Sequence, residues 1–498
     1  MALVPLTVLV PLVAAALLAA ARPVANRAFA DAVAIGASIA VLVLCAILTG
    51  RASRHELVYW FGGWRPHDGV ALGISFAFGA LGAGFATFCS ALMVGAFVFS
   101  LRFMEDVDQL FQVVMLVLLT AMVGFCESGD LFNMFVFFEL MGAAAFVLAG
   151  FMIEKRAPLE GSLNFAVTNS IGGIICLLGI SLVYGHTGAL NLAQIGVALD
   201  HSRPEGVVVV AFALIACGFM VKAALVPFHF WLADAYAVAP TPVCIIFAGT
   251  MSELGLLGIA RVYWTSFHGV LAPHDAALRA VLVTVGLLTG ITGAVLALAQ
   301  RHLKRLLAFA TISYVGLFMV GVAMLTPAGL AGSAAYVVGD GLVKAALFVA
   351  VGIAQYRLGG VREARVYGHG RRLWFPAAIF AIGGLAVAGL PPFGPFLGHA
   401  LIEDAAAEQP GYGWVPAAML VITALAGAAV LRAGARVFLE LGPAPKPDSA
   451  GATEGEDAEG NPDAEGDRAH ARTPALLIGP AAALLGIGLA WGLVPGLT

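Results

Sequence analysis

Long apolar stretches recur along almost the whole chain and are separated by short polar segments. An apolar run of about 18 or more residues is long enough to cross a bilayer as a helix. Fourteen such runs cover about 4–21, 31–49, 72–101, 109–126, 130–153, 163–185, 206–226 (continuing with a break to 238), 241–264, 276–299, 304–325, 329–356, 374–399, 412–438 and 474–496. This pattern predicts an all-α polytopic membrane protein with about 14 transmembrane helices. The 72–101 run is long for one helix, so we expect a strong tilt or a bend in it.

Composition agrees with a chain built for the lipid bilayer. Of its 498 residues, 61% are hydrophobic and only 11% are charged, against about 25% charged residues in soluble proteins. The net charge is −4, and much of the acidity falls in residues 441–473, which we expect to form a solvated, disordered linker. The composition therefore predicts no nucleic-acid surface. The first apolar run lacks a basic segment before it, so we expect it to be retained as a span.

The six cysteines predict no special chemistry. They are scattered through apolar runs without CxxC spacing, which favours small buried thiols over a disulfide frame, a zinc site or an iron–sulfur cluster. We therefore expect neither a metal ion nor a bound cofactor in this chain.

Two apolar runs are interrupted by proline. Pro227 ends the run from Val207 to Val226, and Gly-Leu-Pro-Pro-Phe-Gly-Pro-Phe (389–396) interrupts a second run in the other half of the chain. Proline removes a backbone donor and breaks the helix. The sequence thus predicts two discontinuous helices, and a pair of them in separate halves indicates a transporter built from inverted repeats.

Two charged residues lie inside predicted spans near the first break. A charge in a membrane helix costs roughly 2.5–3.5 kcal/mol on insertion scales, yet Lys222 lies five residues before Pro227, and Glu139 is the only charge between Asp130 and Glu154. The functional interpretation is a pair in which Glu139 moves toward or away from Lys222 and so switches its protonation. Two alternatives remain open: a neutral Glu139 hydrogen-bonded to backbone, and a permanent structural salt bridge.

Further ionisable residues continue this series through both halves. The candidates for proton transfer are Glu139, Lys222, His229, Glu253, Lys304, Asp340, Lys344 and His399, with Glu403 one turn after His399. Histidine titrates near pH 6.5, which suits a relay just past the first break. Asp340 and Lys344 are four residues apart on one helix face and could form a static bridge. Lys304 could instead anchor a helix start in the cytoplasm together with Arg305. As a set, such residues indicate a proton path within the membrane.

Basic residues cluster in alternate loops and predict the orientation. These residues are Arg22, Arg27, Lys155, Arg156, Arg301, Lys304, Arg305 and the basic residues of 357–372. By the positive-inside rule these loops are cytoplasmic, which puts both termini outside. The 50–68 loop, with three arginines, favours the opposite orientation.

Several segments resemble one known family. They are Phe-Val-Phe-Phe-Glu-Leu (135–140), Val-Lys-Ala-Ala-Leu-Val-Pro-Phe-His-Phe-Trp-Leu-Ala-Asp (221–234), Leu-Lys-Arg-Leu-Leu-Ala-Phe-Ala-Thr-Ile-Ser-Tyr-Val-Gly (303–316) and the 389–396 motif. Over about residues 60–440 the chain resembles the proton-translocating antiporter-like subunits of Mrp-type Na⁺/H⁺ antiporters, respiratory complex I and membrane-bound hydrogenases. Two shorter segments, 169–173 and 182–191, favour the antiporter D-subunit branch.

The resemblance implies both a fold and a function. It implies two inverted five-helix repeats, which we place at 104–264 and 265–440, after N-terminal helices (1–103) and before the linker (441–473) and a last helix (474–498). It implies a proton-translocating subunit of a multisubunit Na⁺/H⁺ antiporter in a prokaryotic plasma membrane, with protons, Na⁺ and other hydrophobic subunits as partners and Glu139 and Lys222 as the switching pair. The alternative is a pumping subunit of a complex I-like NADH/quinone oxidoreductase or a membrane-bound hydrogenase.

Three positions depart from the family pattern. Glu253 and His399 stand where lysine is usual, and Asp340 stands where histidine is usual. These departures concern the second half of the path more than the first. Two further classes remain open: an inert membrane scaffold and, less favoured because the charges fall mid-span rather than in interfacial loops, a membrane-bound glycosyl or acyl transferase.

Overall fold

The computed structural model describes residues 3–105, 107–152, 156–200, 205–444 and 472–493. Lys155, one of the basic residues that predict the orientation, lies outside these ranges. So do residues 445–471, the greater part of the predicted acidic linker.

Helices account for nearly all of the described architecture. They are α1 Leu6–Ala21, α2 Arg27–Ala52, α3 Ala80–Phe103, α4 Leu110–Glu127, α5 Leu131–Ala149, α6 Arg156–Thr187, α7 Leu192–Asp200, α8 Gly206–Lys222, α9 Phe230–Val238, α10 Thr241–Ile246, α11 Glu253–Val262, α12 His268–Leu271, α13 Asp275–Ala299, α14 Leu303–Ala323, α15 Pro327–Leu358, α16 Glu363–Val366, α17 Trp374–Val387, α18 Gly394–Ala407, α19 Val415–Leu439 and α20 Ala475–Leu493. Short 3₁₀ turns lie at Phe61–Gly63, Ala272–His274 and His369–Arg372.

Many of these helices are suited to cross a membrane. By length and composition, ten helical segments of the described chain are long and apolar enough to span a bilayer, and three shorter apolar helices (α1, α8 and α17) accompany them. One of the ten is the continuous segment from Thr241 to Ala299, which exceeds a single crossing. The polytopic, helical membrane fold is thus confirmed, whereas the exact number of fourteen spans stays a prediction.

A two-stranded hairpin replaces part of one predicted span. Strand β1 (Leu57–Trp60) pairs antiparallel with β2 (Ser75–Phe78), with Leu57 opposite Phe78. The prediction of one helical span over 72–101 is wrong at its start, because β2 occupies its first residues and α3 begins only at Ala80. A strand of four mostly buried residues is too short to stand out within a long apolar run.

The first predicted break separates α8 from α9. Helix α8 ends at Lys222, and Ala224 adopts a left-handed conformation with φ of 53°. Side chains from other segments satisfy the backbone groups that the break frees: the Val226 N–H donates to Thr289 Oγ1 at 3.0 Å, and Trp231 Nε1 donates to the Val221 carbonyl at 3.0 Å. The discontinuity is therefore held by α13, from the other half of the chain.

The second predicted break separates α17 from α18. Helix α17 ends at Val387 and α18 begins at Gly394, so the prediction of two discontinuous helices is confirmed. Between them Gly389 has φ of 75°, a conformation that favours glycine. The Tyr314 hydroxyl of α14 donates to the Val387 carbonyl. Helix α18 extends to Ala407, eight residues beyond the predicted end at 399.

A third irregular region was not predicted from the sequence. Helices α10 and α11 are joined by a π turn, Phe247–Met251, and a second π turn, Tyr263–Phe267, follows α11. Turns of this kind occur often at functional sites. Glu253 is the first residue of α11, just after the first π turn.

Helices α14 and α15 form the centre of the bundle and are almost completely buried. Helix α13 packs closely on α14, where a side chain at Gly316 would collide with the backbone of Gly290. Helix α15 packs against α18, α17 and α20. The buried polar residues of these two helices, among them Lys304, Asp340 and Lys344, therefore face protein. The division into repeats at 104–264 and 265–440 stays a prediction.

Candidate functional site

Lys222 ends α8 in a fully buried position. Its side chain is 0% exposed, and Nζ has no hydrogen-bond partner among the described residues. The ammonium lies 5.1 Å from the centre of the Phe138 ring, an arrangement that favours a cation. A buried amine whose hydrogen-bonding capacity is not satisfied by protein is able to pass a proton to water or to a nearby base.

Glu139 lies on α5, beside the lysine but not in contact with it. Its side chain is half-buried, and its carboxylate packs against α6, where a Cβ added to Gly173 would lie 2.0 Å from Oε1. The two groups interact electrostatically. No ion pair joins them in the described part of the chain, so the alternative of a permanent Glu139–Lys222 salt bridge does not describe this conformation.

His229 occupies the turn between α8 and α9, directly before Phe230. Its ring is partly buried, and Nδ1 has no hydrogen-bond partner within the described residues. It thus has the position expected for a relay beside the break.

Glu253 is the second acid of the series and is 1% exposed. Neither carboxylate oxygen has a hydrogen-bond partner in the described chain. The carboxyl interacts electrostatically with Lys344 and Asp340 on α15. The hydroxyl of Ser252, the residue before Glu253, forms a hydrogen bond of 3.0 Å with the Tyr236 hydroxyl.

Asp340 and Lys344 are paired, as their spacing predicts. Asp340 Oδ2 lies 2.5 Å from Lys344 Nζ, and both side chains are buried. The ammonium also lies 4.4 Å from the centre of the Tyr314 ring. The helix geometry accounts for the Asp340–Lys344 contact. The contact is therefore compatible with a static bridge between Asp340 and Lys344. Both residues also interact electrostatically with Glu253, another of the candidates.

His399 lies on α18, after the second break, and is 4% exposed. Its ring is stacked on Tyr336, with centroids 5.7 Å apart. Nε2 lies 3.3 Å from Glu403 Oε1, one turn later on the same helix. Because the Glu403 side chain is 33% exposed, this pair connects the buried series to the surface of the chain.

Lys304 and Arg305 are adjacent in sequence but differ in environment. Lys304 is 2% exposed and donates to the Ala239 carbonyl at 3.1 Å. Arg305 lies at the surface and pairs with Asp234 of α9 at 3.1 Å. Only Arg305 thus has the exposure of a surface anchor. Asp234 lies inside α9 and faces α14.

A polar cavity of about 850 Å³ lies beside the Arg305–Asp234 pair. It is lined by Glu160, Asp234, Arg301, Arg305, Glu363 and Arg436, among others. Ala237 and Val238 also line it, and the next residue, Ala239, accepts the Lys304 hydrogen bond. The cavity wall therefore ends one residue before the backbone carbonyl that accepts from Lys304.

The structure adds residues that the sequence did not single out. Tyr314 and Tyr336 pack edge to face, with centroids 5.4 Å apart, between the Asp340–Lys344 pair and His399. Tyr336 precedes Asp340 by one helical turn, a spacing that would have marked it as a neighbour. Tyr314 and Thr289 had no such signal, because their contacts join distant segments.

No metal site is apparent in the described ranges. They contain no group of three or more histidine, cysteine, aspartate or glutamate residues that could hold an ion. The six cysteines are free thiols. The prediction that the chain binds no cofactor stays a prediction.

Sequence comparison identifies the family. The family described as NADH:quinone oxidoreductase/Mrp antiporter, TM, matches residues 128–425, more than half of the chain. The chain belongs to this family. Its matched region includes all eight candidate residues.

Relatives within the family fall in two groups. The N-subunit of the NADH-quinone oxidoreductase of Desulforudis audaxviator (strain MP104C) is 30% identical over 398 residues, covering 80% of this chain and 77% of that protein. The D-subunit of the Na(+)/H(+) antiporter of Bacillus subtilis (strain 168) is 29% identical over 441 residues, covering 87% and 85%. In the solved Mrp complex from Dietzia sp. DQ12-45-1b, one chain matches with a TM-score of 0.84 and 26% identity, covering 99% and 95%.

Proposed function

We propose that this protein is a proton-translocating subunit of a multisubunit Na⁺/H⁺ antiporter. One observation carries the proposal: six of the candidate ionisable side chains, from Lys222 to His399, are at most 4% exposed within a membrane-spanning bundle. Buried charges of this kind are costly, and they mark ion pathways in membrane proteins. The similarity to the D-subunit of the Bacillus subtilis antiporter and to a chain of the Mrp complex supports the choice of antiporter.

The proposed path uses the eight candidates as stations for protons. They are Glu139, Lys222, His229, Glu253, Lys304, Asp340, Lys344 and His399. The polar cavity beside the Arg305–Asp234 pair would supply protons from the basic end of the bundle, and Glu403 would connect His399 to the surface. Protons would hop between stations through intervening water, since the stations are spread over several helices.

Glu139 and Lys222 would act as the switch of this path. Two unit charges 4 Å apart attract by about 4 kcal/mol at an effective dielectric constant of about 20, and the attraction halves when the distance doubles. Approach of Glu139 would therefore stabilise the protonated lysine by roughly 2 kcal/mol, and withdrawal would favour release of its proton. The unpaired arrangement fits the releasing state.

The partners follow from the same proposal. The exchanged ions would be protons and Na⁺, and other hydrophobic subunits would accompany the chain in the plasma membrane of a prokaryote. This subunit would transport ions without catalysing a covalent reaction.

A second function is kept because of one specific similarity. The relative from Desulforudis audaxviator is named as a subunit of an NADH-quinone oxidoreductase. The same proton path would then serve as the pumping arm of a redox complex, and a membrane-bound hydrogenase is a related possibility. The redox centres would belong to other subunits.

Purification of the intact assembly distinguishes the two functions. The chain is tagged, extracted in a mild detergent, and its copurifying subunits are identified while iron and flavin are assayed. Small hydrophobic partners without iron or flavin, together with Na⁺-driven proton flux after reconstitution, are the expected result. Iron–sulfur or flavin subunits and no Na⁺-driven flux would contradict the antiporter.

A further inference from the structure

An apolar groove runs between α3 and α20 on the outside of the bundle. It has a volume of about 360 Å³, and all the residues that line it, within 91–98 on α3 and 475–487 on α20, are apolar. Ile487 on its rim is 55% exposed. A Cβ added to Gly95 or to Gly479 would meet no atom within 4 Å, so both glycines border open space. The groove is therefore accessible from the lipid side of the bundle.

The length of the groove corresponds to one leaflet of a bilayer. A helix rises by 1.5 Å per residue, so the part of α20 from 475 to 487 is about 18 Å long. The hydrocarbon core is about 30 Å thick, or about 15 Å for each leaflet. Beyond the groove α20 packs on α15, where Trp491 Nε1 donates to the Ala335 carbonyl at 3.3 Å. An acyl chain from one leaflet fits this length, whereas a helix that crosses the membrane needs contacts along both leaflets.

Three arginines lie at the end of the groove where α20 begins. Arg102 follows Val98 by one turn of α3. Arg357, near the end of α15, donates to Thr473 Oγ1 at 2.9 Å. Arg472 directly precedes Thr473 and is exposed. This end of the apolar groove is therefore strongly basic.

Two of these arginines are arranged to bind an anion. Tyr356, the residue before Arg357, interacts electrostatically with Arg102 and Glu105, which brings the ends of α3 and α15 together. Glu105 pairs with Arg102 at 2.7 Å, but the two side chains are 47% and 53% exposed, and such surface pairs are weak. Within the described chain, the hydrogen bonds of Arg102 and Arg357 each use one of five guanidinium N–H groups. Donors thus remain for a phosphate group, which guanidinium groups bind strongly.

We propose that the groove binds a phospholipid with an anionic headgroup, with one acyl chain between α3 and α20 and the phosphate among Arg102, Arg357 and Arg472. Basic pockets between membrane helices bind anionic headgroups in this manner. The site lies at the end of the bundle that the basic loops predict to be cytoplasmic, because Arg27 donates to the carbonyl of Val107, in the loop after α3. The inference does not depend on the proposed proton path.

A lipid at this site would hold α20 in place. This helix is the least buried of the ten candidate spans in the described chain. Its far end packs on the second break, where a side chain at Gly492 would collide with the Pro392 carbonyl. A lipid that joins α20 to α3 therefore also stabilises one wall of that break.

Two matched variants of α20 test the groove. Gly479→Leu fills it, whereas Gly486→Leu adds the same side chain at an exposed position that does not line the groove and has no atom near its added Cβ. The delipidated assembly is incubated with phosphatidylglycerol or phosphatidylcholine, and bound lipid is counted by native mass spectrometry. Each CH₂ group displaced from the groove weakens binding roughly fourfold, so Gly479→Leu should bind phosphatidylglycerol at least about tenfold more weakly. Gly486→Leu should match the wild type, and equal binding by both variants would overturn the proposal.

A second pair of variants tests the headgroup. Arg102→Gln combined with Arg357→Gln removes two cations from the site, and each basic residue near an anionic headgroup contributes roughly fivefold to binding. We expect about 25-fold weaker binding of phosphatidylglycerol. Arg51→Gln combined with Arg54→Gln removes the same charge at the opposite end of α2 and should leave binding unchanged. Equal affinity of the wild type for phosphatidylglycerol and phosphatidylcholine would refute the anionic site.

Thermal unfolding of the same samples separates loss of the site from misfolding. Without lipid, all variants should unfold at the wild-type temperature. Phosphatidylglycerol should raise this temperature for the wild type and Gly486→Leu but not for Gly479→Leu. If Gly479→Leu unfolds early, the arginine variants decide the question. Loss of a subunit from the Gly479→Leu assembly, with phosphatidylglycerol retained, would mean that a partner's helix occupies the groove and would overturn the lipid site.

Discussion

A methyl group at Gly173 should disturb the switch without disturbing the fold. This glycine lies on α6, and the Cβ of an alanine there would lie 2.0 Å from Glu139 Oε1. Ordinary van der Waals contact begins at 3.4 Å, so the carboxylate oxygen must move by roughly 1.4 Å. The obstructed atom is the end of a flexible side chain, and moving it costs little.

Movement of the carboxylate can lower proton flux in two ways: it weakens the attraction between Glu139 and Lys222, and it misaligns the two groups. For unit charges about 6 Å apart, a further separation of 1.4 Å changes the attraction by only about 0.5 kcal/mol at an effective dielectric constant of about 20, roughly a twofold change in proton affinity. Misplacing a reacting group by about 1 Å lowers rates by up to about 100-fold. Alignment therefore dominates, and we expect Gly173→Ala to lower proton flux by about 10-fold to 100-fold.

We expect the thermal stability of Gly173→Ala to rise slightly or to stay unchanged, although its proton flux falls. Alanine stabilises a helix by roughly 0.5–1 kcal/mol relative to glycine, which offsets the small cost of moving the carboxylate. Gly185, also on α6, has no atom within 4 Å of its added Cβ and provides the matched control. Both variants should unfold at or slightly above the wild-type temperature, whereas only Gly173→Ala should lose flux.

The assay is Na⁺-driven proton flux in proteoliposomes that contain the assembled complex. Adding Glu139→Asp to Gly173→Ala shortens the acid by one methylene and makes room for the new methyl group, so part of the flux should return. Wild-type flux in Gly173→Ala would refute the assignment of Glu139 to the switch. A large loss of stability would refute the reasoning from the flexible side chain.

Two further substitutions test how the site is held and supplied. Thr289→Val removes the acceptor of the Val226 N–H, so it should cost about 1–3 kcal/mol of unfolding free energy and lower proton flux. Thr289→Ser keeps the hydroxyl and should retain both stability and flux. Thermal unfolding and flux assays test this, and an unaffected valine variant would contradict the role of α13 in fixing the break. Arg305→Gln removes a surface ion pair whose side chains are 45% and 42% exposed, so it should change the unfolding free energy by less than about 1 kcal/mol and leave flux intact, whereas Lys304→Gln should lower flux strongly. Equal flux in the last two variants would remove Lys304 from the path.

The sequence predicted the features that depend on local pattern. Proline in an apolar run marked both breaks, and an isolated lysine before Pro227 marked the centre of the site. The Asp340–Lys344 contact also follows from spacing on one helix. Each of these inferences needs only the geometry of a single element.

The features that the sequence left out depend on contacts between distant segments. Strand β2 pairs with β1 only after the chain reverses, and inside the apolar run 72–101 its four residues carry no separate signal. The π turn before Glu253 has no marker comparable to proline. Thr289 and Tyr314 are ordinary helical residues in sequence, and only the packing of α13 and α14 brings them to the two breaks.

The local pattern also left the environment of neighbouring charges undecided. Lys304 and Arg305 have equal weight as anchors in the sequence. The packing of α14 against α9 buries the first and exposes the second. The direction in which each side chain faces depends on the position of the helix in the bundle, which a single sequence does not specify.

The central claim is that protons cross this subunit by way of Lys222. The most direct test is Na⁺-driven proton flux through the reconstituted assembly that contains wild-type chain or Lys222→Ala, with subunit composition verified in both. The account predicts intact assembly and loss of flux in the variant, because no other amine of the described chain takes the place of this buried group at the break. Wild-type flux through a fully assembled Lys222→Ala complex would contradict it.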